Sequence, residues 1–134
     1  MNIRQVFLLI TAAGLVPVAL SYGLMPRVSM DFLFGISAAD VNNAHIFRAV
    51  MGLYLGFAVF WVAGAFNEGV REASLYSLVV FMLGVAAGRV LSILVDGMPH
   101  WLMVVYLLLE LSLGCAGMLL LKKAEQKSIA GQSL

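Results

Sequence analysis

Four apolar stretches follow one another along the chain, each closed by a proline, a glycine or a few polar residues. A membrane span needs about 20 apolar residues, and the pattern predicts helices over 5–25, 44–66, 73–95 and 100–121. The first contains Pro17, which removes one backbone hydrogen bond and is expected to kink the helix near Ala13 and Gly14 before it ends at Pro26. Arg27 to Asn43 is the longest connection, and its apolar cluster Met30, Phe32, Leu33, Phe34 and Ile36 suits the membrane interface better than bulk water. Ser37 and Asp40 are spaced like a capping box, so the second helix is expected to start near Ala38, outside the hydrocarbon. Asn67 to Glu72 reads as a short polar turn, and Asp96-Gly97-Met98-Pro99 turns the chain into the fourth span. A basic tail, 122–134, follows, and there is no internal repeat.

Composition changes the picture by naming the solvent. With 63% hydrophobic and 11% charged residues and a mean hydropathy of +1.01, the chain is no ordinary soluble domain. Its 134 residues make one membrane domain with no room for a soluble catalytic one. The fold expected is an all-α integral membrane four-helix bundle, up-down-up-down. A net charge of +1 and scattered basic residues exclude nucleic-acid binding. The single cysteine, Cys115, allows no internal disulfide or cysteine metal cluster and reads as a small buried filler.

Arg4 before an apolar core, with Ala19-Leu20-Ser21 beyond, could pass for a cleavable signal. Retention is expected, because it leaves an even number of spans with both termini on one side. Arg4, Arg71, Lys122, Lys123 and Lys127 fall on that side and Arg27 on the other, so both termini are predicted to be cytoplasmic. Tyr22 and Trp101 then join an outer aromatic belt, and Trp61 and Tyr76 an inner one.

Four charges remain in or at the rim of the spans: Arg48, Arg89, Glu110 and Asp96. A central Arg, Lys or Asp costs about 2.5–3.5 kcal/mol on insertion scales, so such groups are expected to face one another. Counting from the predicted span ends at about 1.5 Å per residue, Arg48 lies roughly 6 Å, Arg89 roughly 9 Å and Glu110 roughly 13 Å into the outer half. His45, Arg48, Gly52 and Gly56 share one helical stripe, as do Arg89, Ser92 and Asp96, and Tyr106, Glu110, Gly114 and Gly117. With the small-residue pairs Gly52/Gly56 and Gly84/Gly88, these stripes are expected to form one interior seam.

The strings HIFRAVMGLY over 45–54 and GRVLSILVDGMP over 88–99, followed by Glu110, resemble a family of small bacterial four-helix membrane proteins known as a domain of unknown function. The likeness spans roughly 5–121. It implies a four-helix architecture in a bacterial inner membrane and no particular activity.

Arg48, Arg89, Glu110 and Asp96 admit two readings: a pocket for a small amphipathic or anionic ligand such as a lipid or quinone, or a self-neutralising ion-pair network. Two arginines at similar depth favour the pocket, with Ser92, His45, Tyr54 and Tyr106 as further members. Other classes stay open: a transporter or proton-conducting component in which Glu110 changes protonation, and a structural or assembly subunit with a second copy or another membrane protein as partner. An enzyme comes last. Ser92 lacks a nucleophile-elbow pattern and is expected to bond Arg89 or the backbone. His45 and His100 could ligate haem, but they are expected instead in the polar cluster and at the interface. Zinc spacing is missing, so neither metal nor cofactor is expected. The eight methionines read as packing filler.

Overall fold

The computed structural model describes residues 1–132, so the last two positions of the predicted tail, Ser133 and Leu134, lie outside the described residues. Five helices follow in order: α1 (Ile3–Gly23), α2 (Pro26–Phe34), α3 (Val41–Phe66), α4 (Glu68–Asp96) and α5 (Trp101–Gln132). All but α2 are long and apolar enough to cross a membrane. α1 packs on α3, α3 on α4 and α4 on α5, giving an up-down-up-down bundle. Large apolar side chains also point outward, among them Val59, Val80, Leu94 and Leu108, as expected where lipid is the solvent.

Local chemistry sets the helix ends, and several differ from the pattern-based expectation. Asn2 starts α1: its carboxamide accepts from the Gln5 N–H while the Gln5 side chain accepts from the Asn2 N–H. The helix continues through Pro17, which sits on the exposed face. Pro26 takes the first position of α2, where its missing N–H costs nothing, and Gly35 ends that helix at φ +66°. α3 begins at Val41 rather than near Ala38, and its N-cap, Asp40, makes no side-chain capping bond. The predicted turn Asn67 to Glu72 shrinks to Asn67 alone, whose side chain accepts from the Gly69 N–H and starts α4 five residues before the expected Ala73. α5 runs past Leu121 to Gln132, because the tail's Lys, Ala, Glu and Gln are good helix formers.

The core seam differs from the predicted stripes. Leu8, Ala12, Leu15 and Ala19 of α1 meet Tyr54, Ala58, Trp61 and Ala65 of α3 and Leu75, Leu78 and Met82 of α4. Close approach uses Gly23 against Met51, Gly64 against Ser74, Gly114 against Leu83 and Gly117 against Val79. Gly52, Gly56, Gly84 and Gly88 instead face open space. Each lies two residues, about 200° of helical turn, from a buried position such as Tyr54 or Ala86, which turns it toward lipid. Cys115 is likewise exposed rather than a core filler.

The amino terminus, the α3–α4 turn and the tail share one end of the bundle, where the Gln5 amide donates to the Ala65 carbonyl (2.9 Å) and Phe7 lies against Gly117. Arg71, buried there, donates from Nε to the Gly64 carbonyl (3.1 Å) and from Nη2 to Ala65 (3.2 Å), and pairs with Glu68 (3.3 Å). It thereby satisfies carbonyls that the end of α3 leaves without helical partners. At the opposite end, α2 lies over the bundle, burying Met30, Phe34 and Ala38 against Tyr22, Phe47, Leu102, Met103 and Tyr106. Phe32 of the same predicted cluster points outward, 86% exposed.

Candidate functional site

Two of the four predicted charges meet. Arg89 of α4 lies seven residues before the end of that helix, and Glu110 of α5 nine residues after the start of its own, about 10 and 13 Å along. Those depths match closely enough for direct contact. The Arg89 Nε–H donates to both Glu110 oxygens, at 3.0 Å to Oε1 and 2.9 Å to Oε2. The side chains are only 17% and 13% exposed. Pairing removes the cost of carrying either charge alone into a membrane interior.

Tyrosines from three helices surround this pair. The Arg89 guanidinium lies 5.7 Å from the centre of the Tyr106 ring, within cation–π range. Tyr22 also lies beside this guanidinium. The Tyr22 ring meets Tyr54 edge-on at 5.7 Å, and Tyr54 meets Phe81 at 5.0 Å. Phe34 of α2 closes this layer from above, stacked on Tyr22 at 6.2 Å and edge-on to Tyr106 at 6.3 Å.

Beneath the aromatic layer, a cavity of about 270 Å³ opens sideways between α1 and α5. Ile10, Gly14 and Val18 form one lip, Leu109 and Leu113 the other, and Phe81 and Met82 part of the floor. Polar groups come chiefly from one end, where Tyr54, Tyr106 and Glu110 enter the lining. Thr11 also lines it, but its hydroxyl donates to the Phe7 carbonyl of its own helix at 2.9 Å. Phe7, one turn before Thr11, lies against Gly117, one turn beyond Leu113. A separate space of about 80 Å³ lies on the α2 side of the ion pair, lined by Arg89, Ser92, Ile93, Gly97, Pro99 and Met103.

The other predicted members lie elsewhere. Arg48 and His45 are on the exposed side of α3, roughly 120° around the helix from Tyr54 in the case of Arg48, and take no part in the ion pair. Asp96 is exposed at the end of α4 and accepts from the Ser92 hydroxyl at 2.8 Å, so Ser92 bonds neither Arg89 nor the backbone one turn back. His100 meets Phe34 edge-on and Trp101 at a tilt. Tyr22, expected in the interfacial belt, instead turns inward. Its proximity to the end of α1 is a signal equally compatible with either position. Arg71, counted only as an orienting charge, is a buried helix cap.

Fold and site together define a four-span, all-α integral membrane protein with an ion pair and a tyrosine layer at the end of a laterally open cavity. The chain belongs to the family described as domain of unknown function DUF4345, whose model matches residues 3–121 and therefore both cavities and every residue of the ion pair and tyrosine layer. Neither the curated proteins nor the solved structures provide a match.

Proposed function

We propose that the protein binds a neutral amphipathic molecule, lipid-like or quinone-like, with its head among Tyr54, Tyr106 and Glu110 and its apolar body between α1 and α5. The carrying observation is the sideways cavity, apolar along its length and polar at one end. That distribution matches small-molecule sites, in which a few placed polar groups orient a mostly apolar ligand. Neutrality follows from the charges: Arg89 is compensated by Glu110, and the carboxylate rather than the guanidinium enters the lining. An anion would meet a carboxylate, and a cation would compete with Arg89 for it.

A conducting role, with Glu110 as the proton carrier, fits less well, since the lining away from Glu110 and the two tyrosines is apolar and the Thr11 hydroxyl there is tied to the backbone. An assembly role would draw on the exposed glycines Gly52, Gly56, Gly84 and Gly88. We place the protein in a bacterial cytoplasmic membrane with the tail end in the cytoplasm, as the distribution of Arg and Lys indicates.

Native mass spectrometry of gently extracted protein tests the reading. Gly14 lines the cavity, and a Cβ added there would meet no protein atom. The parent should therefore retain an uncharged adduct that Gly14→Leu loses while remaining folded, and that Val80→Leu, on the outer face of α4, keeps. No adduct in the parent, or one indifferent to Gly14→Leu, contradicts the proposal.

A further inference from the structure

The Arg89–Glu110 pair separates two spaces of different character. Glu110 and Tyr106 line the lipid-side cavity, whereas Arg89 and Ser92 line the smaller space toward α2. Along α5 the order is Met103, Tyr106, Glu110 and Leu113, at steps of three or four residues, so both spaces lie along one helical face. We infer that the smaller space is a water-filled vestibule that brings solvent from the α2 end to the Arg89 guanidinium, so that the head-group site is served from two phases.

Volume and chemistry both support this. About 80 Å³ holds roughly two or three waters at their share of liquid volume. A buried water needs two to four polar partners; among the lining residues Arg89 and Ser92 carry polar side chains. Gly97 at φ +97° and Pro99 form the rim where the chain leaves α4, and the Asp96 carboxylate, bonded to Ser92, stands one turn beyond Ser92. The lipid-side cavity, by contrast, has apolar lips that admit acyl or ring carbons. The inference rests on the proposed binding function and deepens it. The bound molecule enters from the bilayer and carries a hydroxyl or carbonyl that can exchange hydrogen bonds with water across the ion pair.

Cysteine accessibility in proteoliposomes tests the vestibule without requiring any ligand. With Cys115→Ala removing the one native thiol, Ile93→Cys and Ser92→Cys should react with a charged, membrane-impermeant methanethiosulfonate about tenfold faster than Leu94→Cys and Leu91→Cys, because the reactive thiolate forms in water. Leu91 and Leu94 are 62% and 78% exposed on the outside of the bundle, whereas Ile93 is half-buried, so simple exposure predicts the opposite order for Ile93 and Leu94. A second readout uses the unmutated chain. The Arg89 Nη–H groups, observed by NMR in nanodiscs, should exchange with deuterated water within minutes, and Met103→Phe, which narrows the vestibule, should slow it. Equal labelling at all four positions, or protection of Arg89 for hours, overturns the vestibule. Loss of the adduct experiment alone leaves these measurements unaffected, so the two proposals fail separately.

Discussion

Replacing Glu110 with leucine leaves the Arg89 guanidinium in a membrane interior with no carboxylate. Both side chains are less than one-fifth exposed, and a single Nε–H contacts both carboxylate oxygens. Removing one partner of a buried pair costs about 3–5 kcal/mol; with Tyr22 and Tyr106 still beside the guanidinium, the lower end applies. Arg89→Leu should cost less, about 1–2 kcal/mol, because an isolated carboxyl can shed its charge by taking a proton whereas a guanidinium cannot. The double variant Arg89→Leu/Glu110→Leu should return to within about 1 kcal/mol of the parent, since apolar side chains of similar volume replace a buried pair at little cost. The expected coupling is about 3–5 kcal/mol, against roughly 0.5 kcal/mol for independent sites. Unfolding in mixed micelles, followed by circular dichroism across an SDS titration, measures all four proteins. Additive losses, or a Glu110→Leu cost below about 1 kcal/mol, would refute the claim that the pair is a desolvated unit.

The two sets of glycines should respond in opposite ways. Gly117→Leu and Gly114→Leu, pressed against Val79 and Leu83, should lose about 1–3 kcal/mol. Gly52→Ala and Gly84→Ala face open space and should gain up to about 1 kcal/mol from helix propensity, as the same SDS titration would show. Arg71→Ala should cost about 1–3 kcal/mol by leaving the Gly64 carbonyl without its donor and the Ala65 carbonyl with Gln5 alone. Arg71→Lys should recover only part of that, because one ammonium cannot reproduce the fork. Thermal melts in detergent rank the three proteins. Trp61 is fully buried and donates to Ser77 at 3.0 Å, whereas Trp101 is 67% exposed. In the Trp101→Phe variant, iodide should leave the remaining emission unquenched; quenching would place Trp61 at the surface.

The apolar runs announce four spans because membrane helices are apolar over most of their circumference. For the same reason they say little about facing. Gly52 and Gly56 look like packing positions in the string, but Tyr54 and Ala58, two residues on, carry the contact, and nothing in so uniformly apolar a helix marks which stripe is inside. Depth was easier to read: counting residues from the span ends set Arg89 and Glu110 within one helical turn of the same level, and their side chains meet. Arg48 shared the depth but not the face. Polar residues at helix starts misled in another way, since Glu68, Arg71 and Glu72 belong to the first turns of α4 rather than to a loop. The α2 cap and the inward turn of Tyr22 depend on contacts across helices, which local pattern does not encode.

The central claim is that the gap between α1 and α5 receives an amphipathic molecule from the bilayer. Photolabelling tests it most directly, with a neutral diazirine-bearing lipid incorporated in proteoliposomes and the labelled peptides mapped. Label should concentrate on Ile10 to Val18 and Tyr106 to Leu113, and fall at both in Gly14→Leu. Labelling spread evenly over the outer faces, with Leu53 and Val80 as reactive as Leu109, would contradict the account.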